Sequence, residues 1–249
     1  MIGLALLLRR EIMIFKYQWL RIVSFFIAFP MIIFLCITMP LYEVISLPIL
    51  NYLHWSIAGI LIVSSSFVCL NHSIKSILLL KDSDKHYQIY LKSPISIFKI
   101  VLGVYVISII YGMIQFFFGS ILLVIINQGA FSILQWILIF VQIVSFLILI
   151  GSIGLLIGFL VSNGEIVTYI NITVFLIISF AFGALLPIEL FPEGLSIYLK
   201  NIPMVVIIMN TQRILYLESP FYFGMVLNIV IAVLVYFFTV ILAYKKLRK

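Results

Sequence analysis

Six long apolar runs dominate this chain and leave few folds open to it. They lie at about 22–39, 55–79, 97–127, 135–161, 168–186 and 221–243. A helix of about 20 mostly apolar residues matches the hydrocarbon thickness of a bilayer. In lipid a helix satisfies its backbone hydrogen bonds within the segment, so runs of this length read as transmembrane helices. Composition agrees, with 65% hydrophobic and only 9% charged residues, against about 25% charged in a soluble domain. So few charges cannot clothe a soluble surface. A soluble enzyme, a nucleic-acid binder and a disordered chain are therefore excluded. The 249 residues hold six spans and their connections and leave no room for a soluble domain. The expected fold is an all-α integral membrane protein, 1–249 being one polytopic domain. The third run is long enough to tilt, or to break around Gly112 and Gly119.

Two segments fall outside this pattern. In residues 1–20, Leu4, Leu8, Ile12, Phe15 and Trp19 recur at helical spacing, with Arg9, Arg10, Lys16 and Arg21 among and beside them. This reads as an amphipathic helix in the membrane interface, anchored by Tyr17 and Trp19. Its charges and the lack of a small-residue cleavage site argue against a signal peptide. Residues 187–220 carry Pro187, Pro192, Pro203 and Pro220 between short apolar stretches. Stretches this short do not span. They are expected to form a helical hairpin re-entering the outer leaflet before the last span.

The basic residues are distributed unevenly. Thirteen of the fifteen Lys and Arg residues lie in the N-terminal segment, between Lys75 and Lys99, or in the tail; only Lys200 and Arg213 lie elsewhere. The positive-inside rule then places both termini and the loop around residues 80–96 in the cytoplasm of a plasma-membrane protein. The net charge of +7 reflects this bias rather than nucleic-acid binding. Cys36 and Cys69 sit in apolar runs without a CxxC pattern and read as packing residues.

Little in the chain suits covalent or metal chemistry. There is no GxxxxGK[ST] phosphate loop and no HExxH. His54, His72 and His86 lack ligand spacing, and Asp82 and Asp84 are the only aspartates. Gly151-Ser152-Ile153-Gly154 lies mid-span and reads as small residues that let helices approach. No catalytic, cofactor-binding or metal-binding residues are expected on this chain, which reads as a non-enzyme. The pathway-lining candidates are the polar residues of the spans. Asn71, His72 and Lys75 lie near the cytoplasmic end of the second span, with Asn71 and Lys75 sharing a face. Gln115, Gln142 and Asn171 lie deeper, where such amides bond across helices or meet substrate. Lys75 can also snorkel to the headgroups.

The order of these parts resembles the permease subunits of type-2 ATP-binding-cassette exporters. Two stretches carry the resemblance. The charged loop after the second span, Lys81 to Pro94, reads KDSDKHYQIYLKSP. Leu91, Ser93 and Pro94 fit the family's pattern there, while Lys85 and His86 replace its Gly-Thr and Gln88 replaces a glutamate. Before the last span, Gly183, Pro187, Pro192, Leu195 and Pro203 keep the family's spacing, with Phe191 before Pro192 and Ile202 before Pro203.

The resemblance implies a half-transporter. Two permease chains, identical or related, would form the pathway, and two separate ATPase subunits holding ATP and magnesium would drive it. The loop would be a coupling helix, with Asp82, Asp84, Lys85, His86, Tyr87, Tyr90, Leu91, Ser93 and Pro94 at the ATPase. Tyr87, Tyr90 and Leu91 would form its apolar face. Pro187, Phe191, Pro192, Leu195 and Pro203 would form an external gate. An uncharged, aromatic-rich pathway suits an amphipathic or lipid-like substrate such as a drug, peptide or glycolipid. The competing readings are an ATPase-independent immunity or accessory protein that binds a peptide or lipid, and an intramembrane enzyme.

Overall fold

A computed structural model describes residues 2–47, 51–81, 96–127, 132–215 and 222–247. Among these the regular structure is helical and no strand occurs. Helix α1 (Ile2–Ile33) runs through a π-helical turn (Phe34–Thr38) into the short α2 (Met39–Tyr42). It is followed by α3 (Tyr52–Lys81), α4 (Ile97–Asn127), α5 (Ile133–Leu160) and α6 (Gly164–Leu176). Helix α6 continues into a second π-helical turn, Ile177–Ala181. The chain ends with α7 (Glu193–Leu199), α8 (Pro203–Leu215) and α9 (Tyr222–Leu247). Six of these helical stretches are long and apolar enough to cross a membrane, which makes this a multi-pass membrane protein.

The first and fifth spans differ in extent from the sequence reading. The first spanning stretch covers Arg9–Tyr42, because helical backbone does not stop where the basic residues do. Gln18 alone leaves it, at φ −115° and ψ 20°, so α1 is two helical pieces meeting at a kink. The fifth stretch ends at Ala181, short of the expected 186. Gly183 then adopts a positive φ of 80°, a backbone state that costs a side-chain-bearing residue and favours glycine.

The third run, α4, is continuous, so of the two alternatives, tilt or a break around Gly112 and Gly119, the break does not occur. Those glycines serve close approach instead. A Cβ on Gly112 would meet the Leu147 side chain at 2.8 Å and the Ser65 carbonyl at 3.1 Å, and one on Gly119 would meet Leu61 at 3.0 Å. The GSIG stretch of α5 works in the same way. A Cβ on Gly154 would lie 2.7 Å from that of Ser73, so α3 and α5 pack at small-residue distance.

Helix α3 is the axis of the bundle, with α4 and α5 as its main neighbours. In its most apolar stretch 83% of residues are buried, against 28% in the first and last spans. The reason is chemical. Lipid is as apolar as leucine, so Leu- and Ile-rich faces gain nothing by turning inward, whereas small polar residues do. Ser56, Ser64, Ser65, Ser66, Ser73 and Ser76 of α3 are all buried. Ser56, Ser64 and Ser66 donate to carbonyls three residues back, and Ser73 to the Cys69 carbonyl. These four hydroxyls are thereby satisfied within the helix, whereas Ser65 Oγ is buried without a partner among the described residues.

The two ends of the bundle are chemically distinct. At one end Lys81 donates to the carbonyls of Gly158, Phe159 and Val161, and Lys246 to that of Phe159. Two ammonium groups thus cap the C-terminus of α5, where unpaired carbonyls and the helix dipole favour cations. At the other end a capping box of Ser132 and Gln135 opens α5, and Gln135 also donates to the Ile214 carbonyl. Irregular backbone at 182–187 lies at that end. Tyr52 donates to the Leu185 carbonyl at 2.5 Å and Gln212 to the Gly183 carbonyl at 2.8 Å. Carbonyls freed by the end of the helix therefore find partners in protein, as an apolar medium requires. Helices α7 and α8 then bend through 96° between Leu199 and Pro203.

Candidate functional site

A slot of about 750 Å³ lies between α1 and α3, floored by Tyr111 of α4. It forms because α1 leans mainly on α4 and only lightly on α3. The kink residue Gln18 lies on its wall. Arg10, Glu11 and Arg21 enter from α1, and Asn71, His72 and Lys75 from α3. On α3, Asn71 and Lys75 are four residues apart and His72 and Lys75 three, which sets that group towards one face; on α1, Glu11 directly follows Arg10, and Arg21 lies beyond the Gln18 kink. Apolar surface from Ile22, Phe25, Val68 and Leu79 completes the walls.

Glu11 organises the polar part of the slot and is only 8% exposed. One carboxylate oxygen accepts from Arg10 at 2.5 and 3.1 Å. The other accepts from the Tyr111 hydroxyl at 3.4 Å and faces His72 Nε2 at 3.6 Å. The His72 ring stacks on that of Tyr111 with centroids 4.4 Å apart. Its Nδ1 lies 3.0 Å from Ser108 Oγ and 3.5 Å from Ser76 Oγ. A charge taken out of water is costly unless paired, and this constellation pairs Glu11 on both oxygens. Arg21 and Lys75 are different. Among the described residues neither forms a hydrogen bond or an ion pair, and both are exposed on the slot.

The pathway-lining candidates therefore separate into two groups. Asn71, His72 and Lys75 line the slot. Gln115 and Asn171 are buried in helix contacts, Gln115 donating to the Phe26 carbonyl at 3.1 Å and Asn171 to Asn71 Oδ1 at 2.9 Å. Gln142 is buried on α5. Of the gate candidates, Pro187 is buried, Phe191 and Pro203 are half-buried, and Pro192 and Leu195 are exposed. The coupling candidates Asp82, Asp84, Lys85, His86, Tyr87, Tyr90, Leu91, Ser93 and Pro94 lie outside the described residues.

Arg10, Glu11, Arg21 and Tyr111 were not among the sequence-derived site residues. A signal existed for Glu11, the only acid among the first 42 residues. Among the described residues no three His, Cys, Asp or Glu side chains come together.

Comparison with known proteins returns no match: no family model, no curated protein and no solved structure resembles the chain closely enough to be counted.

Proposed function

We propose that this chain is the permease subunit of an ATP-driven exporter of the type-2 ATP-binding-cassette class, working as a dimer and moving an amphipathic or lipid-like substrate out of the cytoplasm. The observation that carries this reading is an order of parts: a kinked N-terminal helix, six apolar spans, a charged segment after the second, and a bent pair of short helices before the last. The stretch before Gln18 is read as the interfacial helix. Helices α7 and α8 are read as the re-entrant hairpin, each being too short to cross alone. Both termini are read as cytoplasmic from the basic-residue bias. A transporter of this design draws its energy from a partner, and the chain's lack of a phosphate loop is compatible with that.

The test is purification of the tagged full chain from its native membrane, with assay of ATP hydrolysis and identification of the bound subunit. The expected result is a stoichiometric ATPase carrying a phosphate loop. Its activity should respond to substrate in the native chain and lose that response in a Tyr87→Ala, Tyr90→Ala variant that still assembles. Native complexes with no associated ATPase would overturn the reading and favour a stand-alone protein that sequesters a peptide or lipid.

A further inference from the structure

We propose that the slot between α1 and α3 is a binding site for a phosphate-bearing anionic membrane lipid. The inference rests on the chain spanning a membrane and not on the exporter reading. It begins with the charge count. Three cations, Arg10, Arg21 and Lys75, face the slot beside one acid, Glu11. Arg10 is bound to Glu11, which leaves the slot with the charge of Arg21 and Lys75. Both lack a partner among the described residues. Two such cations exposed at one cavity, with no acid facing them besides the Arg10-bound Glu11, attract an anion there.

The walls define what kind of anion. Ile22, Phe25, Val68 and Leu79 line the same slot, and Phe25 and Leu79 are 42% and 68% exposed. A small hydrophilic anion would leave that surface bare, whereas an acyl chain would cover it. Lys75 and Leu79 also border a second cavity of about 460 Å³ at the Lys81 end, with Ser162 and Gly164 beyond them. A headgroup between Arg21 and Lys75 could thus reach polar surface on one side while its chains lie along α1 and α3. Arginine suits this role because its planar guanidinium donates to two phosphate oxygens at once. The Glu11–Arg10–His72–Tyr111 constellation serves as a rigid wall, since its groups are already engaged with one another.

The test uses native mass spectrometry of the full-length chain purified in detergent. It is titrated separately with phosphatidylglycerol, phosphatidylcholine and inorganic phosphate. The expected result is one retained phosphatidylglycerol, preferred over phosphatidylcholine by about tenfold or more. The preference should vanish in an Arg21→Gln, Lys75→Gln variant. It should persist in Arg21→Lys, Lys75→Arg, and in Lys99→Gln, Lys245→Gln, which removes basic charge elsewhere. Melting of each variant in the same detergent establishes that it is folded. An unchanged preference in Arg21→Gln, Lys75→Gln would overturn the site. Equal loss in the Lys99, Lys245 variant would reduce the effect to general surface charge and overturn it too. Displacement of the lipid by millimolar inorganic phosphate would assign the slot to a free anion and overturn the lipid as occupant.

Discussion

The Cα of Gly59 on α3 lies so close to the Ala184 carbonyl that a Cβ built there would sit 1.7 Å from the oxygen. No side-chain rotation relieves that contact, because the obstacle is backbone. The central helix and the turn after the fifth span are therefore in contact only because residue 59 is glycine. Tyr52 and Gln212 hold the same turn by its carbonyls.

Gly59→Ala should destabilise the folded chain by about 3 kcal/mol or more, at the upper end of what overpacking costs. Gly164→Ala is the matched control, since nothing lies within 4 Å of the corresponding Cβ. Melting temperatures in one detergent measure both. Equal melting of the two variants would show that the turn does not touch α3.

The spans could be read from the sequence because the length of an apolar run is a local property. The close role of the GSIG stretch was readable for the same reason, small residues being visible one by one. The slot was only half legible. Asn71, His72 and Lys75 announce themselves by sharing a helix face, but their counterparts Glu11 and Arg21 sit on a helix that folding alone brings alongside. Lys81 reads as the start of a charged loop, yet it caps α5. Asn171 and Asn71 read as two separate polar residues, and their mutual bond is a tertiary fact.

That amide bond makes a second prediction. Asn171 is 5% exposed and donates to Asn71 at 2.9 Å. Interhelical bonds of this kind contribute about 0.6 kcal/mol on average in membrane proteins, rising to about 1.7. A double-mutant cycle with Asn171→Ala and Asn71→Ala should give a coupling energy in that range, from unfolding in mixed micelles. Strictly additive losses would mean the two amides do not interact.

Glu11 is expected to matter more than its place on the first helix implies. Glu11→Gln removes the charge that holds Arg10 and faces His72, and leaves cations gathered in the slot. The expected cost is about 2–3 kcal/mol, the range for hydrogen bonds to charged groups and the penalty of an unmatched one. Tyr111→Phe removes only the long 3.4 Å bond and should cost under about 1 kcal/mol. Chemical unfolding of both variants checks the ranking, and a costlier Tyr111→Phe would contradict it.

The last prediction concerns the orientation of the bundle. Lys81 and Lys246 cap α5 at one end, and in the sequence both belong to the basic stretches 75–99 and 245–249. Glu43 follows α2, and Glu193 opens α7 just beyond the turn held by Tyr52, so both belong to the opposite end. Both are exposed. By the asymmetry of basic residues, the Glu43 and Glu193 end is expected to face outward. The background for labelling needs Cys36→Ser above all, because Cys36 is exposed while Cys69 is buried; Cys69→Ser removes the remaining thiol. In intact cells an impermeant thiol reagent should label Glu43→Cys and Glu193→Cys. It should label Lys85→Cys, which follows α3 in sequence, only after the membrane is opened. Labelling of position 85 in sealed cells, with 43 and 193 protected, would invert the protein in its membrane. The basic end would then face outward, and a cytoplasmic ATPase could not reach the segment between α3 and α4.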